Sequence, residues 1–266
     1  MRTLTPLLFF YSLFVSFFIE SAILGDSDER EQAPDAVLSF VGTIFCDGGV
    51  RGTGAHIKHP LISDNNSPYI IVTAAHVLFQ PNTSKIFEAC AYRPKGNRLS
   101  AINFEKISPF EYRPLSQTKL EQASTDLVFI SLKSKPRGKA IILKERHTNS
   151  DLRLVGYNQN QDNISMSGKC SSFSSSSFPS EKLLLHNCDG GSGSSGGPIL
   201  DQKTNSISGI HGGTLFIKNG SNVSGTPRSN LMPDAESFIN QGRRVDTDVL
   251  AKLRDFILSL TKDSQN

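Results

Sequence analysis

An all-β fold closed by a single C-terminal helix is predicted for this chain, on three observations. Turn-forming residues are abundant, with 21 Gly, 13 Pro and many Ser among 266 residues. Short β-branched and aromatic runs of strand length recur between Val37 and Ile217. A helical period marks the tail, where Val249, Leu250, Leu253, Phe256, Ile257 and Leu260 fall at three- and four-residue steps. The chain is long for one average domain, and its hydrophobic share of 37 % is enough to bury a core. A net charge of +3, with no dense Lys/Arg run interleaved with aromatics, excludes a nucleic-acid partner.

The elements follow in order. After Arg2, the apolar run Leu7–Ile19 reads as a secretory signal peptide over residues 1–25, with cuts after Ala22 or Gly25 as candidates. It falls short of the ~20 residues that cross a bilayer. Residues 26–36 are acidic and nearly free of large apolar side chains, so they read as a mobile lead or short propeptide. A first β-module is expected over 37–132. It starts with VLSFVGTIFC, a DGG turn and GTGAHI as a hairpin, continues through YIIVT, Ile86–Tyr92 and Ser100–Ile107, and ends on DLVFISL. KSKPRGK, at 133–139, reads as the linker, and a second β-module as 140–245. Ser171–Ser180 is a Ser-rich loop inside it. Residues 246–266 are the helix and tail, with Asp246 or Thr247 as the cap.

The chemistry sits in three islands: Thr73-Ala74-Ala75-His76 after an apolar strand, Thr125-Asp126-Leu127-Val128, and Gly193-Ser194-Ser195-Gly196-Gly197-Pro198. A serine hydroxyl is a poor nucleophile at neutral pH. It needs an imidazole to accept its proton and a carboxylate to orient that imidazole. The TAAH and GxSGGP strings, in the order His, Asp, Ser, resemble those of the chymotrypsin-like (trypsin-like) serine peptidases. The resemblance implies two six-stranded antiparallel β-barrels with the site in the cleft between them. It implies His76 as general base, Asp126 as its orienting carboxylate, Ser195 as nucleophile, and the Gly193 and Ser195 amides as an oxyanion hole. Activity would then rise as an imidazole base loses its proton, near the ordinary histidine value of ~6.5. The serine island also satisfies G-x-S-x-G, but a helix should then follow the serine and the histidine should come last, whereas here a strand-like SISGIHGG follows.

Four cysteines allow three pairings, and export favours disulfides. The resemblance implies Cys46–Cys90 around the histidine and Cys170–Cys188 before the nucleophile. A zinc site is disfavoured, since no C-x-x-C exists. Ser194 stands where digestive members of the family carry an aspartate, and CDGGSGSSGGP and GIHGG are closer to the bacterial secreted and glutamyl-endopeptidase-like branches. Two residues compete to set specificity. The resemblance implies that Asp189 at a pocket floor would attract Lys or Arg, whereas His211, matching a histidine in the pocket-lining strand of the Glu-cleaving members, would recognise an acidic side chain. The implied protein is a secreted monomer that hydrolyses polypeptides without metal or cofactor, and without membrane contact once the signal is removed. A secreted pseudo-protease that binds without turnover is the alternative.

Overall fold

The computed structural model describes residues 23–24, 27–61, 68–97, 100–145, 151–173, 180–218, 221–223 and 238–263. The signal run and most of the Ser-rich loop lie outside the described residues. The chain begins with β1 (Glu31–Gln32) and a single turn, α1 (Asp35–Leu38). β2 (Val41–Cys46) and β3 (Gly49–Lys58) form the expected hairpin. Its tip is Asp47-Gly48, both at positive φ (44° and 82°), the backbone that matches the right-handed twist of paired strands. β4 (Ile70–Thr73) is buried along its whole length, as an unpunctuated IIVT run should be.

β5 (Cys90–Pro94), β6 (Ile102–Ile107) and β7 (Val128–Leu132) complete the first module. Its strand order is β2-β5-β6-β7-β4-β3, and the β2–β3 pairing closes it into a six-stranded barrel. Between β6 and β7 the polar stretch holds a helix, α2 (Lys119–Thr125). Thr118 and Glu121 form a reciprocal capping box at its start, and its last turn delivers Asp126. β8 (Ile141–Ile142) was expected in the second module, yet it pairs in parallel with β3 and so belongs to the first sheet.

The second module contains β9 (Leu152–Asn158), β10 (Asn163–Met166), β11 (Ser172–Phe173), β12 (Leu183–His186), β13 (Pro198–Asp201), β14 (Ser206–Lys218), β15 (Ser221–Val223) and β16 (Phe238–Arg244). Their order is β1-β10-β9-β13-β14-β16-β12-β11, with β15 on β14. The all-β, two-module expectation holds, but this second module is a curled half-barrel. β11 is two residues long, and among the described residues an isolated Leu152–Cys170 bridge is what leads back towards β9. β14 runs unbroken over Ser206–Lys218, with its register against β16 irregular between His211 and Gly213.

Part of the acidic lead is built into this sheet. β1 pairs with β10, Ala33 N–H donates to the Ile164 carbonyl, and Glu31 meets Arg153 at 3.1 Å.

α3 (Thr247–Asp263) ends the fold, with Asp246 Oδ1 accepting the Val249 N–H as its cap. The resemblance implies a helix packed on the second module. Its buried face of Val249, Leu253, Phe256, Ile257 and Leu260 joins a core that includes second-module residues such as Leu200 and Ile210 and also first-barrel residues such as Phe129 and Leu132, and Lys252 reaches Glu111 at 2.7 Å. Among the described residues no helix is long and apolar enough to cross a membrane.

Cys46–Cys90 and Cys170–Cys188 are both bonded. They close loops of 44 and 18 residues, which a chain-entropy argument values at about 4 and 3 kcal/mol. Replacing Cys46 and Cys90 together by alanine should therefore lower the urea-unfolding free energy by about 2 to 4 kcal/mol. An unchanged midpoint would show that the denatured chain is not constrained by this bridge.

Candidate active site

His76 lies in a 3₁₀ turn, Ala75–Leu78, directly after β4. The apolar strand anchors that turn, and Ala74 and Ala75, both fully buried, leave no side chain to hinder it. Asp126, 3 % exposed, approaches from the end of α2 and holds the histidine twice. Oδ1 accepts the His76 backbone N–H at 2.9 Å, and Oδ2 lies 2.6 Å from Nδ1. A carboxylate only accepts, so the Nδ1 proton is the donor and Nε2 of the neutral ring is left as a base. Gly212 of β14 covers the carboxylate, since a methyl there would lie 3.1 Å from Asp126 Oδ2. Tyr112, absent from the sequence reading, packs beside the pair with its ring 6.4 Å from that of His76. Burial and the Asp126 charge push its phenol well above the usual range.

The serine segment reaches the histidine turn through two glycines. A methyl on Gly52 would lie 2.6 Å from the Ser195 carbonyl oxygen and 2.7 Å from Val77 Cγ2, so the serine backbone and the residue after His76 rest on the same α-carbon. Gly196, at φ 82°, lies against Thr73 Oγ1 and the Ala74 nitrogen, where an L side chain has neither the room nor the backbone conformation.

Each peptide plane from 192 to 196 is pinned by its carbonyl. Ser192 O accepts from Gln159 N at 2.9 Å, Gly193 O from Thr53 Oγ1 at 2.8 Å, Ser194 O from Gly197 N at 2.8 Å, and Ser195 O from Thr53 N at 2.7 Å. In a planar trans peptide the N–H points opposite to the carbonyl, so these bonds also aim the amides. Ser194 N–H turns back to Gly191 O and Gly196 N–H reaches His211 O. Among the described residues, the Gly193 and Ser195 amides are the two in this segment without a protein acceptor.

The two specificity candidates occupy different settings. Asp189, 7 % exposed, accepts the backbone N–H groups of Leu24 at 3.0 Å and Glu29 at 3.1 Å, so its carboxylate anchors the lead. Burial raises its pKa, partly offset by those two bonds. His211 is fully buried, with Nδ1 3.1 Å from Nε2 of His186, whose sequence surroundings carry no motif. The Cys188 N–H donates to His186 Nδ1. The His186 proton is therefore on Nε2 and is given to His211 Nδ1, which leaves the His211 proton on Nε2. No group of three or more His, Cys, Asp or Glu that could hold a metal occurs among the described residues.

Residues 52–210 match the family model described as a trypsin-like peptidase domain. Among solved structures, a Glu endopeptidase is 17 % identical over 89 % of this chain and 100 % of its own, with a TM-score of 0.62. The protease Anisep from Arthrobacter nicotinovorans is 14 % identical over 86 % and 99 %, with a TM-score of 0.59. A thermostable serine protease, AL20, from an extremophilic microorganism is 13 % identical over 84 % and 99 %, with a TM-score of 0.58. At such identities these likenesses speak for the fold. No curated protein matches the chain. The family match takes in more than half of the sequence, from the β3 glycines through the serine segment to β14, and on that ground the chain belongs to the trypsin-like peptidase family.

Proposed function

We propose that this protein is a serine endopeptidase that acts outside the cytoplasm, with Ser195 as nucleophile, His76 as general base and Asp126 as the carboxylate that orients it. One observation carries the reading. The same segment that presents Ser195 has its carbonyls from 192 to 195 pinned and two amides left over, while Asp126 holds His76 by its backbone N–H and by Nδ1, on the side of the ring away from Nε2. In this mechanism Ser195 attacks a peptide carbonyl as His76 Nε2 takes its proton. The Gly193 and Ser195 N–H groups then stabilise the oxyanion, each worth about 2.7 to 4 kcal/mol. His76 returns the proton to the leaving amine, and water hydrolyses the acyl-enzyme. Both disulfides suit an oxidising compartment, in line with a leader cleaved on export.

For the residue before the scissile bond we favour an acidic side chain. Asp189 already accepts two lead amides, whereas His211 in β14 is the residue that the resemblance to the glutamyl-endopeptidase-like branch assigns to an acidic side chain. Incubating the oxidised mature protein with a peptide library and a fluorophosphonate probe tests both points. The expected result is covalent labelling that a Ser195→Ala variant loses, and cleavage after Glu or Asp. Turnover after Arg would overturn the preference alone. A wild-type protein that neither labels nor cleaves would leave a non-catalytic binding protein.

A further inference from the structure

Three of the four carbonyls that orient the serine segment are held by backbone donors, and one, Gly193 O, by a side chain. That side chain is Thr53 of β3, fully buried where the two modules meet. Its hydroxyl donates to Gly193 O at 2.8 Å and accepts the Tyr157 N–H at 2.8 Å. Its backbone N–H donates to Ser195 O at 2.7 Å, and its carbonyl accepts from Thr73 Oγ1, three residues before His76, at 2.7 Å. One residue thus touches the peptides on both sides of the one that carries the Ser195 amide, the strand carrying the histidine, and β9 of the opposite module.

We propose that Thr53 is a positioning residue for the oxyanion-stabilising amides. Its hydroxyl fixes the Gly193–Ser194 peptide, while its backbone fixes the Ser195–Gly196 peptide against the histidine strand. The inference rests on the serine-peptidase reading above.

The chemistry requires a hydroxyl. It donates to one carbonyl and accepts from one amide at the same time, which a methyl of the same shape cannot do. Without it, Gly193 O and Tyr157 N–H are both left buried without these partners, and the plane between Gly193 and Ser194 keeps only its Ser194 N–H bond to Gly191 O. Gly193, at φ 95°, has no side chain of its own to restrict rotation. Oxyanion donors act because they are fixed before charge develops, so freedom here lowers the rate of the chemical step more than substrate binding.

The test uses the mature, oxidised protein in three forms: wild type, Thr53→Val and Thr53→Ser, each assayed well below its unfolding midpoint. Thr53→Val should lower kcat about 10- to 100-fold with KM within about threefold, and weaken a peptide boronate, which forms a tetrahedral adduct, by a similar factor. Thr53→Ser, which keeps the hydroxyl, should restore kcat to within about threefold of wild type. If Thr53→Val does not fold, Thr53→Ala read by boronate affinity replaces it. Equal kcat in Val and Ser variants, whatever their stabilities, would overturn the positioning role. A wild type without turnover or probe labelling would instead overturn the underlying reading.

Discussion

Asp126→Asn should lower kcat about 10⁴-fold while leaving the fold and KM nearly unchanged. The carboxylate makes two contacts that differ in what an amide can replace. The bond from the His76 backbone N–H to Oδ1 can be kept, because the asparagine oxygen also accepts. The 2.6 Å contact from Oδ2 to Nδ1 cannot be kept with the same polarity. An NH₂ group facing Nδ1 must donate, so Nδ1 becomes the acceptor and the ring proton moves to Nε2. The base that should face Ser195 then carries a proton before the reaction begins, and no negative charge remains to steady the imidazolium. Single-turnover rates on an activated ester for wild type and variant are the direct check. A loss below about tenfold would mean that Asp126 only holds the histidine turn in place.

The legible parts of this molecule were those whose signal is local. TAAH follows a buried apolar strand, TDLV precedes one, and the glycines around Ser195 are needed at positive φ or at close approach, so a few adjacent residues announce each island. What stayed hidden depends on partners far along the chain. Asp189 beside Cys188 has the composition of a pocket floor, but its orientation is decided by Leu24 and Glu29, some 160 residues away. β1 lies in a segment too polar to look structured, and it is ordered by pairing with β10. β16 leaves little trace in the sequence, because FINQGRR alternates poorly. Arg243 is 3 % exposed there only because Asp246 and Asp248, beyond the strand, compensate its charge. Thr53 reads as one more strand threonine, and its importance comes from four bonds that no periodicity encodes.

Acid should destabilise this protein well before its carboxylates titrate, because His56, His186 and His211 are buried in neutral form. Burial lowers the pKa of His186 to about 3 and carries His211 well below the usual value, the neighbouring His186 and His76 adding to the effect. For His56, burial and then the Lys135 charge bring it to about 4. Each folded value lies below the unfolded one of ~6.5, so above that pH neither state binds the proton and nothing is lost. Below it the unfolded chain takes up protons that the folded chain refuses, and stability falls until the folded value is reached. Each group contributes up to about 1.4 kcal/mol per pH unit, and His56 alone about 3 kcal/mol by pH 4. Three such groups rival a typical total stability of about 5 to 15 kcal/mol. The lowered carboxylates, such as Asp246 beside Arg243, release their contribution at lower pH, which leaves the interval from 6.5 to 5 to the histidines. Urea unfolding at pH 7.5, 6.5, 5.5 and 5.0 should show a steep decline confined to the last three, with His56→Gln shallower by about 1.4 kcal/mol per unit. Equal stability at pH 7.5 and 5.0 would mean that these rings are already protonated, or reach water, in the folded protein.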